Sequence, residues 1–227
     1  MIYPVYNIFY SFFVAIALFF TSWRIQLYYR KTLSPLAKHF RNMSLSAGIG
    51  DLIKAFTFVL FVNNPLALGM GAIVGGMFVF TAYVFGVVIF FYLVSPTVSS
   101  KKIITVGLAL VVLVALCHIK FFFQPEISEN GIIEFNFSPF TKIALFLFST
   151  AGLLPLSIAF IREAVILRHL RIRSGFAAFA LLFIAIANSF QFFGGAQHDP
   201  LAFLILPAIA YVMLIIAVIL RVEATSV

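Results

Sequence analysis

The sequence predicts an all-α integral membrane protein, a bundle of seven transmembrane helices forming one domain over residues 1–227, and three observations lead there. The chain is 63% hydrophobic and only 10% charged, with a mean hydropathy of +1.15. That is more apolar surface than one soluble core can bury. Its aliphatic and aromatic residues, 30 Phe and 8 Tyr among them, come in uncharged runs that cover a hydrocarbon layer of ~30 Å as helices; a barrel would alternate in ten-residue strands instead. The Lys and Arg residues stand beside these runs. The net charge of +8 therefore speaks for membrane orientation rather than for nucleic acid, which would call for a separate basic patch or tail.

The first predicted helix is Pro4–Tyr29. Tyr3, Tyr6 and Tyr10 sit at one interface and Trp23, Tyr28 and Tyr29 at the other, as an aromatic belt requires. Arg24, Arg30 and Lys31 follow the apolar run, the reverse of a cleavable signal peptide. Ser34-Pro35 reads as a break into a basic loop with Lys38, His39 and Arg41. The second helix is Met43–Val62, ended by Asn63-Asn64-Pro65. The third is Leu66–Val94. Gly69, Gly71, Gly75 and Gly76 leave a nearly bare face on its first half, with Gly71, Gly75 and Gly76 expected in close helix packing. Ser95-Pro96 ends it, and Lys101-Lys102 precede the fourth helix, Ile103–Ile119.

Residues 120–142 make the one long loop. Asn130-Gly131 and alternating Ile133, Phe135 and Phe137 predict a short hairpin there. The fifth helix, Pro139–Ile161, contains Pro155 and continues into a basic amphipathic turn with Arg162, Arg168, His169, Arg171 and Arg173. The sixth is Ser174–Phe193 and the seventh Leu201–Leu220, with Gln197, His198 and Asp199 between them. Segments on one side of these spans hold 12 of the 15 Lys and Arg residues. The positive-inside rule places the amino terminus outside and the carboxyl terminus in the cytoplasm, in a multi-pass cell-membrane protein. Spacing echoes between Arg24/Arg30 and Arg162/Arg168, and between Asp51/Lys54 and Asn188/Gln191, are compatible with a parallel three-plus-one-plus-three repeat.

Asp51 and Lys54 stand out because a lipid-crossing helix should carry no charge. They share one helical face and lie roughly 12 and 16 Å along the helix when counted from Met43. Two readings stay open. One is a proton or ion relay, or a polar contact that sets a conformational equilibrium, with Asn188 and Gln191 completing an intramembrane polar site. The other is a mutual ion pair, with Lys54 snorkelling toward the cytoplasm and Asp51 meeting Asn188 or Ser46.

No motif dictates a reaction, so the reading is non-enzymatic. There is no Gly-x-Ser-x-Gly, no His-Glu-x-x-His and no phosphate-cradling Gly-Lys-Ser/Thr, and the last helix has no Lys for a retinal Schiff base. Cys117 is the one cysteine, which excludes an intrachain disulfide and any all-cysteine metal or cluster site. His39 and His169 at the inner face and His118 and His198 at the outer would suit a di-haem carrier. His118, His198 and Asp199, with Cys117, are the candidate metal ligands. No cofactor is otherwise predicted. The bland alternative for these histidines is interfacial polar residues.

The Tyr28-Tyr29-Arg30-Lys31 exit, the Ser95-Pro96 to Lys101-Lys102 junction, the Gly131-containing outer loop and the basic Arg162–Arg173 segment resemble, in layout, the seven-helix membrane input modules of microbial histidine kinases. The resemblance implies a sensory or signalling module. Because the chain stops at Val227 with no kinase or cyclase domain, a signal would pass to a separate membrane or cytoplasmic partner; an accessory subunit of a membrane complex is the equivalent reading. The rival classes are a small transporter or channel, which would need a continuous polar lining, and a haem or metal redox carrier.

Overall fold

The computed structural model describes residues 4–95, 97–122, 124–127, 131–135, 137–193 and 200–220, with the side chains of 134, 169, 190–193 and 200–204 left out. Seven helices account for nearly all of it: α1 (Val5–Thr32), α2 (Pro35–Leu60), α3 (Pro65–Val94), α4 (Ser100–Lys120), α5 (Pro139–Ile166), α6 (Arg171–Phe193) and α7 (Pro200–Ile219). Six, α1 to α6, are long and apolar enough to cross a membrane. In α7 the described apolar stretch is Ile205–Ile219.

One device sets the starts of α2, α3 and α5; it moves α2 well ahead of the expected Met43, while α5 begins at Pro139 as expected. Ser34 accepts a hydrogen bond from the Ala37 N–H and is followed by Pro35 at the first helical position. Asn64 does the same for Ala67 ahead of Pro65, and Ser138 for Thr141 ahead of Pro139. A capping side chain followed by proline starts a helix, since the N–H that proline lacks has no partner in the first turn anyway. Ser34-Pro35 is therefore not the opening of a basic loop. Lys38, His39 and Arg41 lie on α2, which begins eight residues before Met43. Only Leu33 and Ser34 separate α1 from α2, the former in a left-handed turn (φ 50°) with its N–H on the Tyr29 carbonyl at 2.7 Å. Likewise α4 takes in Lys101 and Lys102. The expected basic extension of α5 is divided: Arg162 is on α5, residues Arg168–Leu170 form a 3-10 turn, and Arg171 and Arg173 open α6.

The helices form a ring in the order α1, α2, α3, α5, α6, α7 and back to α1. Helix α4 stands outside it against α3, with a lesser contact on α5. Gly107 of α4 rests on the Val84 side chain, while Val106, Leu113 and Leu116 are all more than half exposed. The distribution of side chains is inverted relative to a water-soluble bundle. Large apolar residues such as Phe9, Ile16, Leu60 and Leu147 point outward, and Asn7, Ser11, Thr21, Ser44, Asp51, Ser149 and Ser157 are buried. That is the arrangement of a polytopic membrane protein, whose outer surface meets hydrocarbon. Buried hydroxyls are satisfied by helix carbonyls: Thr21 on Ala17 and Thr57 on Ile53 within one helix, Ser46 on Phe78 and Ser157 on Ala178 between helices, each at 2.8 Å.

The expected hairpin is present at the end of the bundle away from the basic segments. Strands β1 (Glu126–Ile127) and β2 (Ile133–Glu134) pair antiparallel, Glu126 opposite Glu134 and Ile127 opposite Ile133, with Gly131 at a positive φ of 71°. The hairpin folds into the bundle rather than away from it. Ile133 is buried with Phe58 and Leu68, flanked by Ile8, Ile127 and Phe135, and Gly69 of α3 makes room for the Phe122 ring. The buried Asn7 carboxamide oxygen accepts the Ile133 N–H at 3.0 Å. Asn7→Ala leaves that N–H without its partner, at a cost of about 1–3 kcal/mol. Amide exchange at Ile133 is expected to accelerate at least tenfold while exchange in α5 stays unchanged.

Candidate functional site

The intramembrane charges form an ion pair. Lys54 Nζ lies 3.2 Å from Asp51 Oδ1, an i,i+3 contact along α2. Their burial is unequal: the Asp51 side chain is 11% exposed and that of Lys54 26%. Neither alternative partner of Asp51 is used, since Ser46 bonds the Phe78 carbonyl and Asn188 donates to the Tyr83 hydroxyl at 2.7 Å. The early start of α2 also moves the pair. Counted from Pro35, Asp51 lies about 24 Å along the helix, nearer its Leu60 end than its basic end. Snorkelling of Lys54 toward the basic end is thus the longer route.

What the sequence reading missed is the set of phenols around the carboxylate. Asp51 interacts electrostatically with Tyr10 of α1, Tyr83 of α3 and Tyr211 of α7, and Tyr211 in turn with Tyr10 and Tyr83. Tyr83 and Tyr211 are buried, and Tyr10 packs against the same core. The sequence places Tyr10 in the interfacial belt; in the structure it is Tyr6, 58% exposed, that faces outward, and Tyr10 packs against the core. With Asn188 of α6 held by Tyr83, five helices each contribute polar groups to one cluster: Tyr10, Asp51 with Lys54, Tyr83, Asn188 and Tyr211. Two tyrosines in mid-helix, where no interface exists to hold them, were the signal in the sequence. The Gln191 side chain lies outside the described residues.

Glycines seat this cluster. A Cβ on Gly75 would stand 2.7 Å from the Gly50 carbonyl oxygen and 2.8 Å from Lys54 Cγ, so the bare backbone of α3 forms the slot in which the lysine stem runs. A Cβ on Gly152 of α5 would meet Tyr83 Cβ at 2.7 Å, and one on Gly86 would meet the Gly152 carbonyl at 2.5 Å. Gly71 packs on Thr57. Gly76 does not join this packing: a Cβ there would touch only Phe80 of its own helix, because successive residues point about 100° apart.

Compared with models of known protein families and with curated protein sequences, the chain matches none. The site is therefore read from its own geometry. The two histidines whose side chains are described, His39 and His118, do not join it. His39 packs on Phe85 of α3, ring centroids 6.2 Å apart, and its buried Nδ1 has no hydrogen-bond partner among the described residues. His118 packs edge-on against Phe137 at 4.9 Å. His198 and Asp199, its candidate co-ligands, and the His169 side chain lie outside the described residues. Among the described residues no three His, Cys, Asp or Glu side chains come together as a metal-binding group.

Among the described residues, buried apolar side chains flank the polar cluster on either side. Toward the basic end lie Leu18, Ile89, Leu156 and Leu181, each at most 4% exposed. Toward the other end lie Phe58, Leu68 and Ile133 under the hairpin.

Proposed function

We propose that the protein is a non-enzymatic seven-span sensory or signalling module of the cell membrane, with its amino terminus outside and its basic helix ends in the cytoplasm. The carrying observation is the Asp51–Lys54 ion pair of α2, set in the same bundle interior as the Asn188–Tyr83 hydrogen bond between α6 and α3 and as the core tyrosines Tyr10 and Tyr211. A group that disturbs the Asn188–Tyr83 hydrogen bond bears on α3 and α6 across the bundle, and a bundle with two alternative packings converts that into a movement at its ends. The ends concerned are those that bear Arg24, Arg30, Lys38, Arg162 and Arg171, the surface for handing a change to a cytoplasmic or membrane partner. The three-plus-one-plus-three repeat is part of this reading: α1, α2 and α3, and likewise α5, α6 and α7, stand as consecutive neighbours, with α4 outside the ring.

Orientation is tested first. In a Cys117→Ser background, Asn130→Cys is expected to react with an impermeant thiol reagent applied from outside, and Ser99→Cys only after the membrane is opened. The reverse pattern would invert the assignment.

Function is tested with the protein's single tryptophan. Trp23, 55% exposed near the basic end of α1, lies at a tilt against Phe20 with ring centroids 5.8 Å apart, and the neighbouring Ser22 bonds the Arg41 carbonyl of α2. Tyr83→Phe and Asp51→Asn are expected to shift Trp23 emission in the folded protein, although they lie far along the bundle from it. Reconstituted vesicles under imposed proton, sodium or potassium gradients are expected to leak no faster than empty ones. Flux that disappears with Asp51→Asn would replace the sensory reading with transport.

A further inference from the structure

At the basic end of the bundle α1 and α2 leave a groove of about 350 Å³ between them, lined by Phe19, Ser22, Trp23 and Gln26 of α1 and by Arg41 and Leu45 of α2. Its two halves differ in chemistry, and the membrane boundary falls between them. Counted from Val5 at 1.5 Å per residue, a hydrocarbon layer of ~30 Å is crossed by residue 24. Phe19 lies on the hydrocarbon side of that level and Gln26 on the headgroup side, with Trp23 exposed at the boundary. The Arg41 backbone enters at the same level, since its carbonyl accepts the Ser22 hydroxyl at 3.3 Å. Its side chain then climbs away from the hydrocarbon: Nη1 donates to Gln26 Oε1 at 2.8 Å, and the guanidinium carbon stands 5.5 Å from the centre of the Tyr29 ring, two turns above Ser22.

The guanidinium is fixed in place, but its charge is not neutralised. Nε and Nη2 both donate to Asn42 Oδ1, at 3.0 and 2.6 Å, so three of the five guanidinium N–H groups meet carboxamide oxygens and two remain. Among the described residues Asp51–Lys54 is the one ion pair, which leaves Arg41 without a carboxylate. None is close in sequence either, since the first acidic residue of the chain is Asp51. The headgroup rim of the groove adds further positive charge. Lys38, Arg41 and Leu45 fall on one stripe of α2 and Trp23, Gln26 and Arg30 on one stripe of α1, both at i, i+3 and i+7 spacing, and Lys38 and Arg30 are exposed. The amino end of α2, with its partial positive charge, points the same way.

We propose that this groove holds one anionic phospholipid of the leaflet at the basic end, its phosphate on Arg41 and an acyl chain against Phe19, Trp23 and Leu45. Each part of the ligand follows from a part of the site. A guanidinium already held by neutral carboxamides and an aromatic face offers its remaining donors to phosphate oxygens, and such charge-assisted bonds are the strong ones. The lower half offers dispersion and apolar contact, which a hydrocarbon chain satisfies. A zwitterionic headgroup would bring its ammonium against Lys38 and Arg30, so a headgroup without a cation is preferred. A soluble phosphate would meet the upper half alone. The site is separate from the Asp51 cluster and does not depend on what that cluster does.

Trp23, the one tryptophan of the chain, lines the groove and reports its occupant directly. The whole chain is reconstituted in bilayers of equal parts phosphatidylcholine and phosphatidylglycerol, with bromine on the upper acyl chain of one lipid or of the other. Brominated phosphatidylglycerol is expected to quench Trp23 with about fivefold preference over brominated phosphatidylcholine, the ratio that one basic side chain gives an anionic lipid. Arg41→Gln should remove the preference. Arg162→Gln, which takes the same charge from α5 on the opposite side of the ring, should leave it unchanged. Should Arg41→Gln not fold, Lys38→Gln combined with Arg30→Gln at the exposed rim replaces it and is expected to lower the preference by roughly twofold or more. Equal quenching by the two lipids overturns the proposal in favour of ordinary lipid contact, and an equal loss in the Arg41 and Arg162 variants overturns it in favour of a diffuse surface potential. Relief of quenching by millimolar glycerophosphoglycerol, the headgroup without its chains, overturns it in favour of a soluble phosphate.

Discussion

Gly75→Leu is expected to destabilise the folded protein by about 3 kcal/mol, the upper end for overpacking, while Gly76→Leu one position along leaves melting unchanged. The two glycines are adjacent in sequence and differ only in direction. At position 75 the first added carbon would meet a backbone carbonyl oxygen of α2 at 2.7 Å and the Lys54 stem at 2.8 Å. A carbonyl in a helix cannot yield as a flexible side chain can, so α2 and α3 must separate, and the Ser46–Phe78 hydrogen bond between them weakens too. At position 76 the new side chain extends into open space beyond Phe80. Thermal unfolding in detergent, followed by folded yield, checks both. Equal melting of the two variants would mean that α3 is rotated from the position described.

The second large effect concerns the ion pair. Asp51→Asn and Lys54→Met are each expected to lower stability by about 2 kcal/mol, below the 3–5 kcal/mol typical of a fully buried pair because the Lys54 side chain is a quarter exposed. The double variant is expected to recover at least half of the summed loss, because neither charge is then left alone in low dielectric. Simple addition of the two single losses in unfolding measurements would show that the residues do not interact. Recovery of stability without recovery of the Trp23 response would separate the structural role of the pair from its part in signalling.

The long helices were legible because only uncharged runs of that length cross a bilayer, and the pair was legible because a charge inside such a run has few explanations. The start of α2 was less so. Ser-Pro is read as a break or as a cap with equal right, and which one applies depends on whether helix follows. The ring order was hidden for a physical reason peculiar to this class of chain: lipid-facing and partner-facing sides of a helix are both apolar, so hydrophobic periodicity does not report which side is which. Placing α4 outside the ring depends on contacts such as Gly107 on Val84, which no periodicity reveals. Tyrosine posed the same difficulty in miniature. Tyr6 and Tyr10 are one turn apart and look alike in sequence, yet one faces outward and the other joins the Asp51 cluster.

That Asp51 and Lys54 sit on the same helix, and not across the bundle, also bears on how the chain is made. A charged residue at the centre of an inserting helix costs roughly 2.5–3.5 kcal/mol, and a partner on a later helix offers no relief while that helix is still unsynthesised. Here the neutralising group is three residues away and arrives with the same turn of α2. The second segment can therefore leave the translocation machinery as an internally neutral unit, before α6 and α7 exist to supply Asn188 and Tyr211. Tyr83 and Tyr211, on later helices, are additions to a charge problem that α2 has already solved by itself.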